Sequence, residues 1–103
     1  MKQDSVLSMI GLAKRAGKVV SGEFSTEKAI KEKKAKLVIV SEDASNNTKK
    51  LFNNKCVFYK VPIIMYSDKE SIGHALGQTM RTSVGIIDDN FAQATIEKFG
   101  GLD

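Results

Sequence analysis

The residues able to do covalent chemistry are few. The chain has one cysteine, Cys56, and one histidine, His74, and a thiol and an imidazole make a nucleophile pair only if both emerge in one cleft with an activating neighbour. Cys56 falls on an apolar helical stripe and His74 mid-helix beside Gly73, a pattern that argues against such a pair. One cysteine forms no internal disulfide, and one histidine without a second soft ligand holds no zinc. Glu42-Asp43 and Asp88-Asp89 are adjacent acids whose side chains diverge. Each pair precedes a predicted helix, where acids serve as caps. Gly11, Gly17 and Gly22 do not match the spacing of a phosphate-binding glycine loop. The expectation is a protein that is not an enzyme and uses no cofactor or metal.

Charge points elsewhere. Residues 1–60 hold 13 Lys/Arg against 6 Asp/Glu, whereas residues 61–103 hold 3 against 6. So strong a skew concentrates a polyanion at one side of a small domain, and RNA or DNA phosphate is the usual cytoplasmic polyanion. The alternative is a charged surface that serves solubility alone. Three polar segments could meet such a ligand. In Gly22-Glu23-Phe24-Ser25 a glycine admits close approach, the amides of a helix start can accept phosphate, and Lys28 and Lys31 follow. Glu42 to Ser45 follows the best strand of the chain. In Gln78 to Thr82, Met80 beside Arg81 can stack on an unpaired base and neutralise its phosphate, unless Met80 folds back into the core.

The elements that must position these segments alternate along the chain. Val6, Met9, Ile10 and Ala13 recur at helical spacing, with Asp4 or Ser5 as cap and Gly17 after the last turn. Lys18–Ser21 offers only a short edge strand. A surface helix over about Glu23–Lys33 follows, turning Phe24 or Thr26, with Ala29 and Ile30, to the core. Leu37–Val40 is a continuous apolar run, the mark of a central strand buried on both faces. A third helix carries Thr48, Leu51, Phe52, Cys56 and Tyr59 as one stripe. Val61–Met65 is a strand, and Ser67 with Glu70 forms a capping box for a fourth helix that Gly77 closes. Val84–Asp88 is the last strand. Asp88 or Asp89 caps a final helix with Ala92, Thr95, Ile96 and Phe99 inward. This order predicts a three-layer α/β/α sandwich around a small mixed sheet of about four strands, in one domain over 1–103.

No apolar run reaches the roughly 18 residues of a membrane span. Met1–Ala16 is amphipathic and broken by Lys14 and Arg15, unlike a secretory signal. The expected location is the cytoplasm, the expected state a monomer.

Several motifs in order carry a family resemblance: Gly11-Leu12-Ala13-Lys14-Arg15-Ala16-Gly17-Lys18, Ser21-Gly22-Glu23, Lys28-Ala29-Ile30, Ala35-Lys36-Leu37-Val38, Glu42-Asp43-Ala44-Ser45, Lys55-Cys56, Val61-Pro62, Ile72-Gly73-His74-Ala75-Leu76-Gly77 and Asp88-Asp89-Asn90-Phe91-Ala92. Covering nearly the whole chain, they resemble the ribosomal protein superfamily of the L-seven-Ae type, most closely its short bacterial YlxQ-like members. The resemblance implies an RNA-binding protein linked to the ribosome or translation. Its ligand would be a kink-turn or related structured element, met by the start of the second helix and capped by a loop after the fourth. Here those parts are Gly22, Glu23, Phe24, Ser25 and Lys28, and Thr79, Met80 and Arg81. Lys14, Arg15, Lys18, Lys28 and Lys31 would supply phosphate contacts. Kink-turn binders of this family carry Asn-Glu where this chain has Phe24-Ser25. A phenyl ring cannot read base edges through paired donors and acceptors, so Glu23 would accept from guanine amino groups or Phe24 would stack on a base. The alternative function is a protein-interaction module of the translation or transcription machinery that uses the same face.

Overall fold

The computed structural model describes residues 4–102; the opening residues 1–3 of the Met1–Ala16 stretch lie outside it. In chain order the elements are α1 (Ser5–Arg15), β1 (Val19–Ser21), α2 (Glu23–Lys31), β2 (Leu37–Val40), α3 (Asn46–Tyr59), β3 (Ile63–Met65), α4 (Lys69–Ala75), β4 (Ser83–Ile86) and α5 (Asp89–Phe99). The sheet order is β1-β4-β2-β3. β2 and β3 are parallel and joined through α3, while β4 runs antiparallel to both β1 and β2. The short strand β1 thus lies at an edge, and Leu37–Val40 is central as its unbroken apolar run requires.

Strand alternation divides the core between two helical layers. Leu37, Ile39, Val84 and Ile86 pack with Val6 and Ile10 of α1, Ile72 of α4 and the Leu76 that caps it, and Ala92 of α5. On the other face Val38 and Val40 meet Ala29 and Ile30 of α2 and Phe52 and Cys56 of α3. Fully burying an isoleucine or phenylalanine stabilises by roughly 1.5–3 kcal/mol, so the sandwich rests on packing. Asp4 caps α1 by accepting the Leu7 N–H at 3.0 Å, and its second carboxylate oxygen accepts the Tyr66 hydroxyl at 2.8 Å. Burial and that carboxylate push the Tyr66 hydroxyl up to about 12.

Several local expectations need correction. The cap of α4 is Asp68, which accepts the Ser71 N–H at 2.7 Å, and not Ser67. Ser67 has φ 62°, and its carbonyl is drawn into a bond from the Glu42 N–H. Hydrogen bonds from Ser71 hold the Asp68 carboxyl below the usual range. Neither Glu42 nor Asp43 caps α3: Ser45 does, through the Thr48 N–H. Asp88 does cap α5, accepting from the Phe91 N–H at 2.9 Å. Phe99 does not face inward but sits exposed at the rim, edge-on to Tyr66. α2 stops at Lys31 because Lys33 turns to φ 61° and Lys34 donates back to the Ala29 carbonyl. β3 starts at Ile63 because Val61 is still bonded to Cys56 of α3. β4 spans Ser83–Ile86 in place of the expected Val84–Asp88, since Asp88 is taken up by the helix cap.

Candidate nucleic-acid interface

All three polar segments singled out in the sequence reach one edge of the sheet, and the topology is the cause. β1 and β2 both run toward this edge, and the antiparallel β4 begins there. Gly22 therefore follows β1, Glu42–Ser45 follows β2, and Gln78–Thr82 leads into β4. Backbone bonds join the segments: Gly22 N–H to the Ser83 carbonyl at 3.0 Å, Ser41 N–H to Thr82 at 2.9 Å and Glu42 N–H to Ser67 at 2.8 Å. Asp43 adds a side-chain tie, accepting the Lys69 N–H at 3.0 Å.

Gly22 turns the chain from β1 into α2 at φ 91° and ψ 159°, backbone that costs any other residue about 1–3 kcal/mol. It contributes no capping side chain, so the amides of Glu23, Phe24 and Ser25 head the helix uncapped, at the positive end of its dipole. Glu23, Phe24, Ser25 and Lys28 are all exposed, while Thr26 turns inward in place of Phe24. Phe24 is 79% exposed, an arrangement that intramolecular packing does not explain. Lys28 belongs to neither ion pair of the described residues; Lys31, one turn on, is paired with Glu27 at 3.4 Å.

Opposite this helix start stands the loop after α4. Gly77 takes φ 69° and the Gln78 N–H returns to the Gly73 carbonyl at 2.8 Å, a helix ending that reverses the chain. The reversal presses Thr79 onto α4 so closely that a Cβ on Gly73 would lie 1.5 Å from the Thr79 carbonyl oxygen. Arg81 N–H then bonds the Lys69 carbonyl at 3.0 Å. Held at both ends, the loop presents Met80 54% exposed, so Met80 does not return to the core. The Arg81 guanidinium donates to the Met80 carbonyl at 2.9 Å, to Gln78 Oε1 at 3.3 Å and to Ser21 Oγ at 3.4 Å. It staples the loop to the residue before Gly22, and no ion pair among the described residues offsets its charge.

The remaining predicted cations lie elsewhere. Lys18 is at the opposite end of β1, its carbonyl accepting the Ile87 N–H, about 13 Å of extended chain from Gly22. Lys14 and Arg15 form the last turn of α1, tied to Lys18 through its bond to Ala13. Arg15 lines a groove between α1 and α4 of about 840 Å³, with Asp4, Glu70 and His74. The structure therefore brings Gly22–Lys28 and Thr79–Arg81 together and leaves Lys14, Arg15 and Lys18 apart.

The same layering separates the reactive side chains. Cys56 is buried against α2 on one face of the sheet, its thiol pushed up to about 12 by desolvation, and His74 rides on α4 on the other. Ser21 and Gly73, which set the loops, escaped the sequence reading of the site, as did the tie from Asp43 to the Lys69 amide. Only Gly73 left a signal there, as a glycine inside a helical pattern, which commonly marks a close approach.

Residues 4–96 match the model of the ribosomal protein L7Ae/L30e/S12e/Gadd45 family. The chain is 43% identical over 88 residues to the RNA-binding protein YlxQ of Bacillus subtilis, covering 85% of this chain and 88% of that one. It is 39% identical over 99 residues to the RNA-binding protein YlxQ of Enterococcus faecium, covering 96% and 95%. A Bacillus halodurans C protein of unknown function superposes with a TM-score of 0.90 at 32% identity, over 93% of this chain and 97% of that one. The Giardia lamblia 15.5kD RNA binding protein shares the fold with a TM-score of 0.79 at 20% identity, over 93% and 82%. Motif order, fold and relatives agree, and the chain belongs to the ribosomal protein L7Ae/L30e/S12e/Gadd45 family.

Proposed function

We propose that this chain is a non-catalytic, cytoplasmic RNA-binding protein, one domain acting as a monomer in the context of the ribosome or translation. It holds a structured RNA, a kink-turn or a related bent element, at the sheet edge. The observation that carries this reading is the pairing of an uncapped helix start bearing exposed Phe24 and Lys28 with a firmly anchored loop bearing exposed Met80. The α2 amides and Lys28 take phosphate, and Phe24 and Met80 cover bases that leave the helical stack. Phe24 favours stacking over the edge-reading that an Asn-Glu pair would perform at this place, so the preferred RNA has an unpaired base next to its bend. Both YlxQ relatives are named as RNA-binding proteins, which supports the choice over a protein-docking module.

Titration of labelled kink-turn, plain duplex and bulged-hairpin RNAs at two salt concentrations tests the proposal. Tighter binding to a bent or bulged RNA than to the duplex, with affinity falling steeply as salt rises, is the expected result. No binding to any of the three at low salt would sink it.

A further inference from the structure

The outer face of α3 carries a second set of groups suited to RNA. Between Ala44 and Ser67 the chain has four lysines, Lys49, Lys50, Lys55 and Lys60, and no carboxylate. α3 turns Phe52 and Cys56 inward, and on its solvent side Asn47, Lys50, Asn54 and Phe58 follow one another at helical spacing, all exposed. Phe58 is 76% exposed and Val57 77%, as open as Phe24 at the sheet edge. The two ion pairs among the described residues lie on α2 and just beyond it, so none of these lysines is neutralised. Beside Phe58 is a shallow hollow of about 420 Å³ bounded by Leu51, Asn54, Lys55, Phe58 and Tyr59.

A helix face kept only for solubility has no use for an uncovered phenyl ring, and a protein partner would meet lysines and amides where interface cores are depleted of lysine. A ring with free surface, an amide that can both donate and accept, and cations without a competing acid instead match an unpaired nucleotide: base on ring, base edge on amide, phosphate on ammonium. We propose that the outer face of α3 is a second RNA-binding surface that takes a single-stranded segment. Phe58 stacks on a base, Asn54 meets its edge, and Lys50 and Lys55 hold the flanking phosphates. α3 starts at the recognition edge with Ser45 and reaches Phe58 about 20 Å further on. A single-stranded flank of about six nucleotides at 3.4 Å each could span that distance from an RNA held at the edge. The surface does not depend on the edge site, and the two can fail separately.

The test uses the full chain and fluorescein-labelled dodecauridylate, which has no bend or duplex to recognise. Phe58→Ala should weaken binding at least about fivefold, and Lys50→Glu with Lys55→Glu should weaken it further. Phe58→Trp should retain it, showing that an aromatic ring is what counts. The edge variant Lys28→Ala with Met80→Ala should weaken this probe less than Phe58→Ala does, because the probe has no bend for the edge to hold. Because Phe58, Lys50 and Lys55 lie outside the core, unchanged thermal melting should accompany each α3 variant. Wild-type affinity in both α3 variants, with loss in the edge variant, overturns the proposal. So does a Phe58-dependent preference for decaglutamate over the RNA, which would make this surface a site for an acidic protein.

Discussion

Both ends of β1 carry cations, and they differ in what stands beside them. At the Lys18 end, Lys14 and Arg15 close α1, where helix carbonyls favour cations whether or not a ligand exists. At the Gly22 end, exposed Phe24 and Met80 stand with Lys28 and Arg81 on backbone locked by hydrogen bonds and by two glycines. Cations at either end can meet a phosphate. Only the Gly22 end adds a rigid arrangement of flat and apolar surfaces with which to discriminate among polyanions.

The contrast can be broken most forcefully at Gly73. In Gly73→Ala the new methyl meets a backbone carbonyl at a distance no rotamer can relieve, so the Thr79–Arg81 loop must move. A loss of about 3 kcal/mol in denaturant unfolding is expected, with loss of the preference for bent over duplex RNA. Next come Phe24→Ala and Met80→Ala. Each side chain is exposed, so stability should change by less than about 0.5 kcal/mol while affinity for a bulged RNA falls about tenfold in binding titrations. A smaller effect sharpens the comparison of the two ends directly. Lys28→Ala should lower the slope of log affinity against log salt by about 1, whereas Lys18→Ala should leave that slope unchanged; equal changes would make the charge distribution non-selective. The smallest effect concerns Thr26, whose buried hydroxyl has no hydrogen-bond partner among the described residues. Thr26→Val should be neutral to stabilising by up to about 1 kcal/mol in thermal melts, with RNA binding retained.

Much of the fold was legible because local signals agreed. Leu37–Val40 announced a central strand, Val6, Ile10 and Ala13 marked the buried face of α1, and Gly17 and Gly77 each took the left-handed position after a helix. Caps were less legible where two candidates stood side by side. Ser67 and Asp68 both suit a helix start, and the competition was settled by Glu42, a partner 25 residues away. Asp43 likewise reads as a cap for the helix that follows it and instead binds the amide of Lys69. The grouping of Gly22–Lys28 with Thr79–Arg81 could be anticipated from the motifs. Its cause could not, since the antiparallel course of β4 is a tertiary choice that no short window encodes. The staple from Arg81 to Ser21 spans 60 residues and had no sequence signal. Lys14, Arg15 and Lys18 were grouped with the interface by sign of charge alone, which carries no information about direction.

We propose that RNA is recognised at the Gly22 end of β1 and not at the Lys18 end. Amide-resolved NMR during titration with a kink-turn hairpin separates the two ends. The expected result is that the Glu23, Phe24 and Ser25 amides, together with Met80 and Arg81, shift to saturation while Lys14 and Lys18 stay near their free positions. Saturated binding that moves Lys14 and Lys18 and leaves the start of α2 unmoved would contradict it.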